Sequence, residues 1–207
     1  MATADVKQAR LPWIPRQKPW PERNGLFRFT VEQAYKLHEL GFFDDRHVEL
    51  LEGVLYEMTA LPPHAIAAER VMRWSMLRFA DLCVRLGAPF DVGRKSLPEP
   101  DLAIVPGESG DYAEGHPKTA FLVMEISDAT LHKDRTLKAH LYASAGLADY
   151  WILNIQDRQL EIYRRPGPDP SRKDRFGYSE ITIVPTDGHA APLARPEARV
   201  GVADLLP

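Results

Sequence analysis

Residues 119–155 read TAFLVMEISDATLHKDRTLKAHLYASAGLADYWILNI, an apolar run, a helical pattern and a second apolar run in one continuous stretch. The first run, Phe121-Leu-Val-Met-Glu-Ile, is apolar at every position except Glu125, which predicts a central strand within Thr119–Ser127. From about Leu131 to Ala145 the spacing turns helical: Asp134, Lys138 and Tyr142 recur at i, i+4 and i+8, beside an apolar face of Leu137 and Leu141. Gly146 stands at the helix stop, and Asp149–Ile155 reads as the next strand. Strands alternating with helices argue for an α/β or α+β fold rather than two unrelated domains.

The flanking sequence fits that class. Thr30-Val-Glu-Gln33 is a capping box, Leu37 and Leu40 extend an apolar face, and Gly41 follows, so a short helix is expected there. His47–Met58, with Gly53 at its centre and Val54, Tyr56 and Met58 alternating, predicts two strands or one bent strand. His64–Leu86 has no Pro or Gly. It carries Arg70, Arg73, Asp81 and Arg85 on one stripe and Ile66, Val71, Trp74, Leu82 and Leu86 on a broader apolar side, and is expected as one long helix on a sheet. Strands are expected at Phe90–Lys95 and Asp101–Val105 before the central one, and at Gln159–Arg164 and Tyr178–Val184 after it, the last two separated by a Pro- and charge-rich loop at Pro166–Arg175. Residues 1–26, with Pro12, Pro15, Pro19 and Pro21 and the indoles of Trp13 and Trp20, predict an extended arm.

Composition excludes several classes. In 207 residues the longest uninterrupted apolar run is Ala120–Met124, far short of the roughly 20 residues of a membrane-crossing helix. The charged, proline-bearing N-terminus lacks the apolar core of a secretory signal, so a cytoplasmic location is expected. The single cysteine, Cys83, rules out an internal disulfide and a zinc site built from cysteines. Lys and Arg number 26 against 29 Asp and Glu, a net charge of -3, so no global positive field is available for tight binding to a polyanion.

Two carboxylates stand out. Asp101 opens one expected strand, and Glu125 interrupts an apolar one, where a lone charge carries a severe desolvation cost unless a cation partners it. If the strands are neighbours, the two groups can converge on Mg²⁺, which takes a few carboxylate oxygens and completes its shell with waters and substrate phosphate. Otherwise Asp101 caps a turn and Glu125 pairs with Lys or Arg. Lys138 on the following helix can reach inward to such a centre, or form an ordinary exposed pair with Asp134. Tyr150-Trp151 reads as core, and Arg158, Arg164, Arg165, Arg172, Lys173 and Arg175 as either a phosphate-contacting loop or solvated charge.

Taken in order, Glu49-Leu-Leu-Glu-Gly53, His64 at a helix start, Pro100-Asp101, Glu125-Ile-Ser127, Asp134-x₃-Lys138-x₃-Tyr142 and Ala145-Gly-Leu-Ala-Asp-Tyr150-Trp151 resemble the Uma2 family of restriction-endonuclease-like proteins, within the PD-(D/E)xK nuclease superfamily. The resemblance covers about residues 27–205, leaving the arm of residues 1–26 outside it. It implies a single domain with an αβββαβ core, a mixed central sheet and additional N- and C-terminal strands. It also implies catalytic roles for Asp101, Glu125 and Lys138, with Asp101, Glu125 and Glu49 as ligands of Mg²⁺ or Mn²⁺. Ser127 occupies the position where the superfamily pattern has Lys, and Lys138 is the substitute expected from the next helix. His64, Ser127, Asp134 and Tyr142 are expected as accessory residues. The implied activity is metal-dependent endonucleolytic hydrolysis of phosphodiesters in DNA, with a homodimer by analogy. The alternatives are a nuclease-fold protein that binds nucleic acid or regulates without turnover, and an enzyme acting on a small phosphorylated substrate.

Overall fold

The computed structural model describes residues 27–59, 61–171 and 175–207. The expected arm at residues 1–26 and the pair Arg172 and Lys173 lie outside them.

Helix α1 (Val31–Glu39) begins where the capping box places it: the Thr30 hydroxyl accepts from the Gln33 N–H while the Gln33 side chain accepts from the Thr30 N–H. Strands β1 (Val48–Leu51) and β2 (Val54–Glu57) then form an antiparallel hairpin, so the two-strand alternative holds over one bent strand. Its two-residue turn needs positive φ at both positions, which Glu52 (47°) and Gly53 (79°) supply. A side chain at Gly53 would also drive into Arg28 and the Phe29 carbonyl.

Helix α2 (Pro62–Arg78) starts on two prolines, whose missing N–H groups cost nothing in a first turn. It ends well before Leu86. Phe79 is fully buried against Trp74, with their rings 5.6 Å apart, and the chain turns there to send Cys83–Arg85 into the sheet as strand β3. The expected stripe of charge is thereby split, since Asp81 lies in the turn and Arg85 in a strand, and Ile66 is exposed rather than packed. The expected strand at Phe90–Lys95 is irregular chain, and β3 takes its place at the sheet edge.

Strands β4 (Leu102–Val105), β5 (Leu122–Ser127), β6 (Asp149–Asn154), β7 (Gln159–Pro168) and β8 (Phe176–Pro185) complete a six-stranded mixed sheet in sequential order from β3 to β8. Only β5 and β6 are parallel, and the helical segment between them supplies the crossover. That segment runs as α3 (Leu131–Lys133), a π-helical turn (Asp134–Lys138) and α4 (Ala139–Ser144). Strand β7 continues beyond Arg164 through Pro166 and Pro168, which face Tyr178 and Phe176 of β8. There it has β8 on one side only, so prolines break no second ladder.

The central strands β4, β5 and β6 are buried on both faces, as their apolar composition requires. Ala67, Val71 and Trp74 of α2 pack with Leu102, Ile104, Leu122, Met124, Trp151 and the C-terminal helix α5 (Val202–Leu205) on one face. Trp74 and Trp151 stack with centroids 5.9 Å apart, which assigns Trp151 to the core as the sequence suggested. On the other face Ala139, Tyr142 and Leu147 cover Ala103, Val105, Val123, Tyr150 and Ile152. Glu125 alternates with Val123 on that second face, directly beneath the helix that carries Lys138. Among the described residues no helix is long and apolar enough to cross a membrane.

Candidate active site

Strands β4 and β5 pair antiparallel with Leu102 opposite Met124, and one more step along that register sets Asp101 opposite Glu125. Directly opposed side chains share a face, so the pairing brings the two carboxylates together at one end of the ladder. Asp101 is held at both oxygens: Oδ2 accepts the Ile126 N–H at 2.7 Å, and Oδ1 lies 3.1 Å from His64 Nε2. The bond to Asp101 outweighs burial and raises the His64 pKa, favouring imidazolium. His64 therefore reaches the site from the N-terminal turn of α2, as its place after the two prolines suggested.

Lys138 is buried, with 3% of its side chain exposed, and its Nζ lies 2.9 Å from Glu125 Oε1 and 3.1 Å from Glu49 Oε2. The exposed Asp134–Lys138 pair, the bland reading of their spacing, does not form: both residues are buried. Burial opposes the charge on Lys138, but Glu125 and Glu49 together raise its pKa, and it remains an ammonium. Glu125 moves well above the usual carboxylate range. Burial is the main cause, Lys138 works against it, and Asp134, Asp101 and Glu49 add to it as like charges. Tyr142 donates to Glu125 Oε1 at 2.6 Å, the same oxygen that meets Lys138, so Oε2 takes part in neither contact.

Glu49, fully buried on β1, is engaged at both oxygens. Oε1 meets Lys133 Nζ at 2.7 Å, while Oε2 meets Lys138 and accepts the Glu99 N–H at 3.3 Å. Its burial would raise the pKa, but Lys138 and Lys133 hold it below the usual range. Asp134 lies deeper. Thr130 donates to its Oδ2 at 2.6 Å, Ser127 Oγ stands 3.5 Å from the Thr130 hydroxyl, and burial raises the Asp134 pKa. These groups surround a cavity of about 140 Å³ lined by Glu49, Glu57, Asp101, Glu125, Asp128 and Asp134, with Lys133, Lys138 and His64 as its basic groups.

The profile of the family described as "Uma2: Putative restriction endonuclease" matches residues 31–187. The chain belongs to the Uma2 family. In fold it is similar to the crystal structure of "a putative nuclease belonging to DUF820" from Anabaena variabilis, with a TM-score of 0.65 and 16% identity over 86% of this chain and 97% of that one. No curated protein matches.

In this Uma2 chain the π turn sets the geometry of the site. The Ala139 N–H bonds back to the Asp134 carbonyl, five residues away, and that carbonyl also accepts the Tyr150 hydroxyl at 3.1 Å. The wider turn lets Lys133 and Lys138, five residues apart, grip the same carboxylate, Glu49. Lys133, Thr130 and Glu99 escaped the sequence reading. A helical repeat of 3.6 residues puts positions 133 and 138 on different faces, and nothing in the residue types announces a π turn.

Asp101, Glu125, Lys138, Glu49, His64, Asp134 and Tyr142 come together, and Ser127 joins through Thr130. Arg164, Arg165 and Arg175 of the arginine cluster do not. Arg164 pairs with Asp149 at 2.8 Å, Arg165 with Glu180 at 3.0 Å and Arg175 with Glu52 at 2.5 Å, so these three are engaged in structural ion pairs.

Among the described residues no group of three or more His, Cys, Asp or Glu is arranged to hold a metal ion. The donor chemistry nevertheless suits a hard divalent ion: Asp101 and Glu125 are oxygen donors on one cavity wall, and Mg²⁺ is commonly held by one or two carboxylates with waters and phosphate completing its shell.

Proposed function

We propose that this Uma2 protein is a divalent-metal-dependent endonuclease hydrolysing phosphodiester bonds in DNA. The observation that carries the reading is the placement of the Lys138 ammonium, 2.9 Å from Glu125 in the cavity that Asp101 also lines. The motif position that lacks a lysine, Ser127, is thereby supplied from the next helix by a side chain arriving at the same carboxylate.

Asp101 and Glu125 would hold the ion, Mg²⁺ or Mn²⁺, which when bound acts as a Lewis acid and makes its water a stronger nucleophile. The cavity gathers six acidic side chains against two lysines and one histidine, a lining rich in the carboxylate oxygens that such a cation takes. Lys138 orients the attacking water and stabilises charge developing on the phosphate. Its buried position makes that interaction stronger than it would be in water. Glu49, gripped by both Lys133 and Lys138, is assigned a different part from metal binding: it fixes the Lys138 ammonium and keeps it charged. His64 holds Asp101 in place, Tyr142 holds Glu125, and Asp134 with Thr130 and Ser127 supports the helix start from below.

The test is cleavage of supercoiled and linear DNA with Mg²⁺ or Mn²⁺. The expected result is cation-dependent cleavage by the native chain and its loss in Asp101→Ala and Glu125→Ala. Cleavage unchanged in both variants would overturn the assignment. Loss of cation-dependent cleavage from the native chain, with DNA binding retained, would favour the non-catalytic nuclease-fold reading.

A further inference from the structure

Helix α1 has no buried residue, although Val31, Ala34, Tyr35 and His38 face inward. Beneath them lies a cavity of about 260 Å³, closed on its far side by Val48 and Leu50 of β1 and Leu55 of β2, and bounded by Phe43, Pro89 and Leu97. The helix is fixed at its rim. The Val31 N–H bonds the Arg94 carbonyl at 2.9 Å, and the Tyr35 hydroxyl lies 2.6 Å from His116 Nε2. An apolar space of this kind leaves its lining atoms without dispersion partners, and a packed domain keeps few of them.

Two polar groups in the cavity lining are incompletely used. His116 Nδ1 is buried with no hydrogen-bond partner, and Glu99 is bonded through Oε2 to His47 Nε2 at 2.6 Å, leaving Oε1 outside that contact. The cavity also shares a wall with the catalytic one. Along β1, Val48 and Leu50 line the apolar cavity and Glu49 the catalytic one; along the next segment, Glu99 lines the first and Asp101 the second. Alternation along β1 therefore sets the two cavities on opposite faces of that strand, and the chain from Glu99 to Asp101 passes from one to the other.

From the volume, the apolar and aromatic lining and these two polar groups, we infer that the cavity beneath α1 receives a single nucleobase extruded from the nucleic acid that the catalytic site acts on. The inference rests on the endonuclease reading for its substrate. The volume lies just below the roughly 300 Å³ where pockets for drug-sized ligands begin, which suits one planar ring system and not a whole dinucleotide. Enzymes that take a base out of the stack hold it between apolar and aromatic side chains and read its pairing edge with hydrogen bonds. Glu99 is an acceptor, so a base with adjacent donors on that edge is preferred: guanine, with its ring N–H beside an amino group, binds ahead of thymine, with one N–H.

The test uses the full chain without metal, titrated with guanosine and with thymidine and followed by amide NMR. Saturable shifts clustered on α1 and β1, with guanosine bound more tightly, are expected. Ala34→Trp fills the cavity from the exposed helix, and Glu99→Gln removes the carboxylate with little change of shape; each should weaken guanosine binding about tenfold. Absence of saturable shifts, shifts confined to other surfaces, equal affinity for the two nucleosides, or full affinity in Glu99→Gln would overturn the inference. Because nucleoside binding is read without metal or cleavage, these outcomes are separate from the cleavage of DNA by Asp101→Ala, which tests the endonuclease reading alone.

Discussion

Two buried glutamates on the same sheet, Glu125 on β5 and Glu161 on β7, meet opposite treatment. Glu161 receives the Arg135 guanidinium on both oxygens at 2.6 and 2.9 Å, together with Asn154, Gln159 and the Tyr163 hydroxyl. Burial alone would raise its pKa, and this shell of donors more than reverses that. Glu125 has one lysine and one phenol, both at Oε1, and three carboxylates near enough to push its pKa up. A carboxylate that serves the fold is saturated with donors, whereas one left short of them beside a cavity has capacity for a further cation.

The sharpest way to break this comparison is to truncate each member. Asp101→Ala or Glu125→Ala should lower the metal-dependent cleavage rate by about 10³-fold or more, because each removes one of the two ligands proposed for the metal ion. Glu161→Ala should leave the rate per folded molecule within about twofold. Stability should show the reverse order. Loss of Glu161 strands Arg135, Asn154 and Tyr163 and should cost about 2–3 kcal/mol in denaturant unfolding, while Glu125→Gln in metal-free protein should cost less than about 1 kcal/mol. Equal destabilisation by both would mean that Glu125, too, is a structural carboxylate.

The contrast was only partly legible in the sequence. Glu125 stood out because it breaks an apolar run, and Asp101 because its strand precedes that run; antiparallel register then did what the sequence could only offer as a condition. Lys138 was readable as an inward-facing helix residue, but its partnership with Lys133 was not, since it depends on the π turn. The helix expected to reach Leu86 fails for a tertiary reason. Its apolar repeat runs on past Phe79, yet burying Phe79 against Trp74 and pairing Cys83–Arg85 with Ala103–Val105 satisfies the chain better than two further helical turns. Glu161 drew no notice because, unlike Glu125, it sits in a run that already includes Gln159 and Arg164.

Acidity separates the pair in a third way. The Glu161 pKa is lowered on folding, so its contribution is present above the ordinary carboxylate pKa and is lost as pH falls through the lowered value. The Glu125 pKa is raised, so its contribution in metal-free protein has the opposite sign: present at low pH and lost as pH rises through the raised value. Unfolding free energies measured across the acid range should therefore lose part of their acid-side decline in Glu161→Gln and gain slope in Glu125→Gln. Identical profiles for the native chain and Glu161→Gln would contradict the first half. The smallest effect is expected at the exposed Glu32–Lys36 pair on α1, where Glu32→Ala should leave the denaturant midpoint indistinguishable from that of the native chain.

The central claim is that Lys138 does the work of the lysine that Ser127 does not supply. Its most direct test is the single-turnover DNA cleavage rate of Lys138→Met, taken alongside Mn²⁺ occupancy measured by electron paramagnetic resonance. Occupancy close to that of the native chain with a rate about 10²-fold lower is the predicted result. A native rate at native occupancy would contradict it.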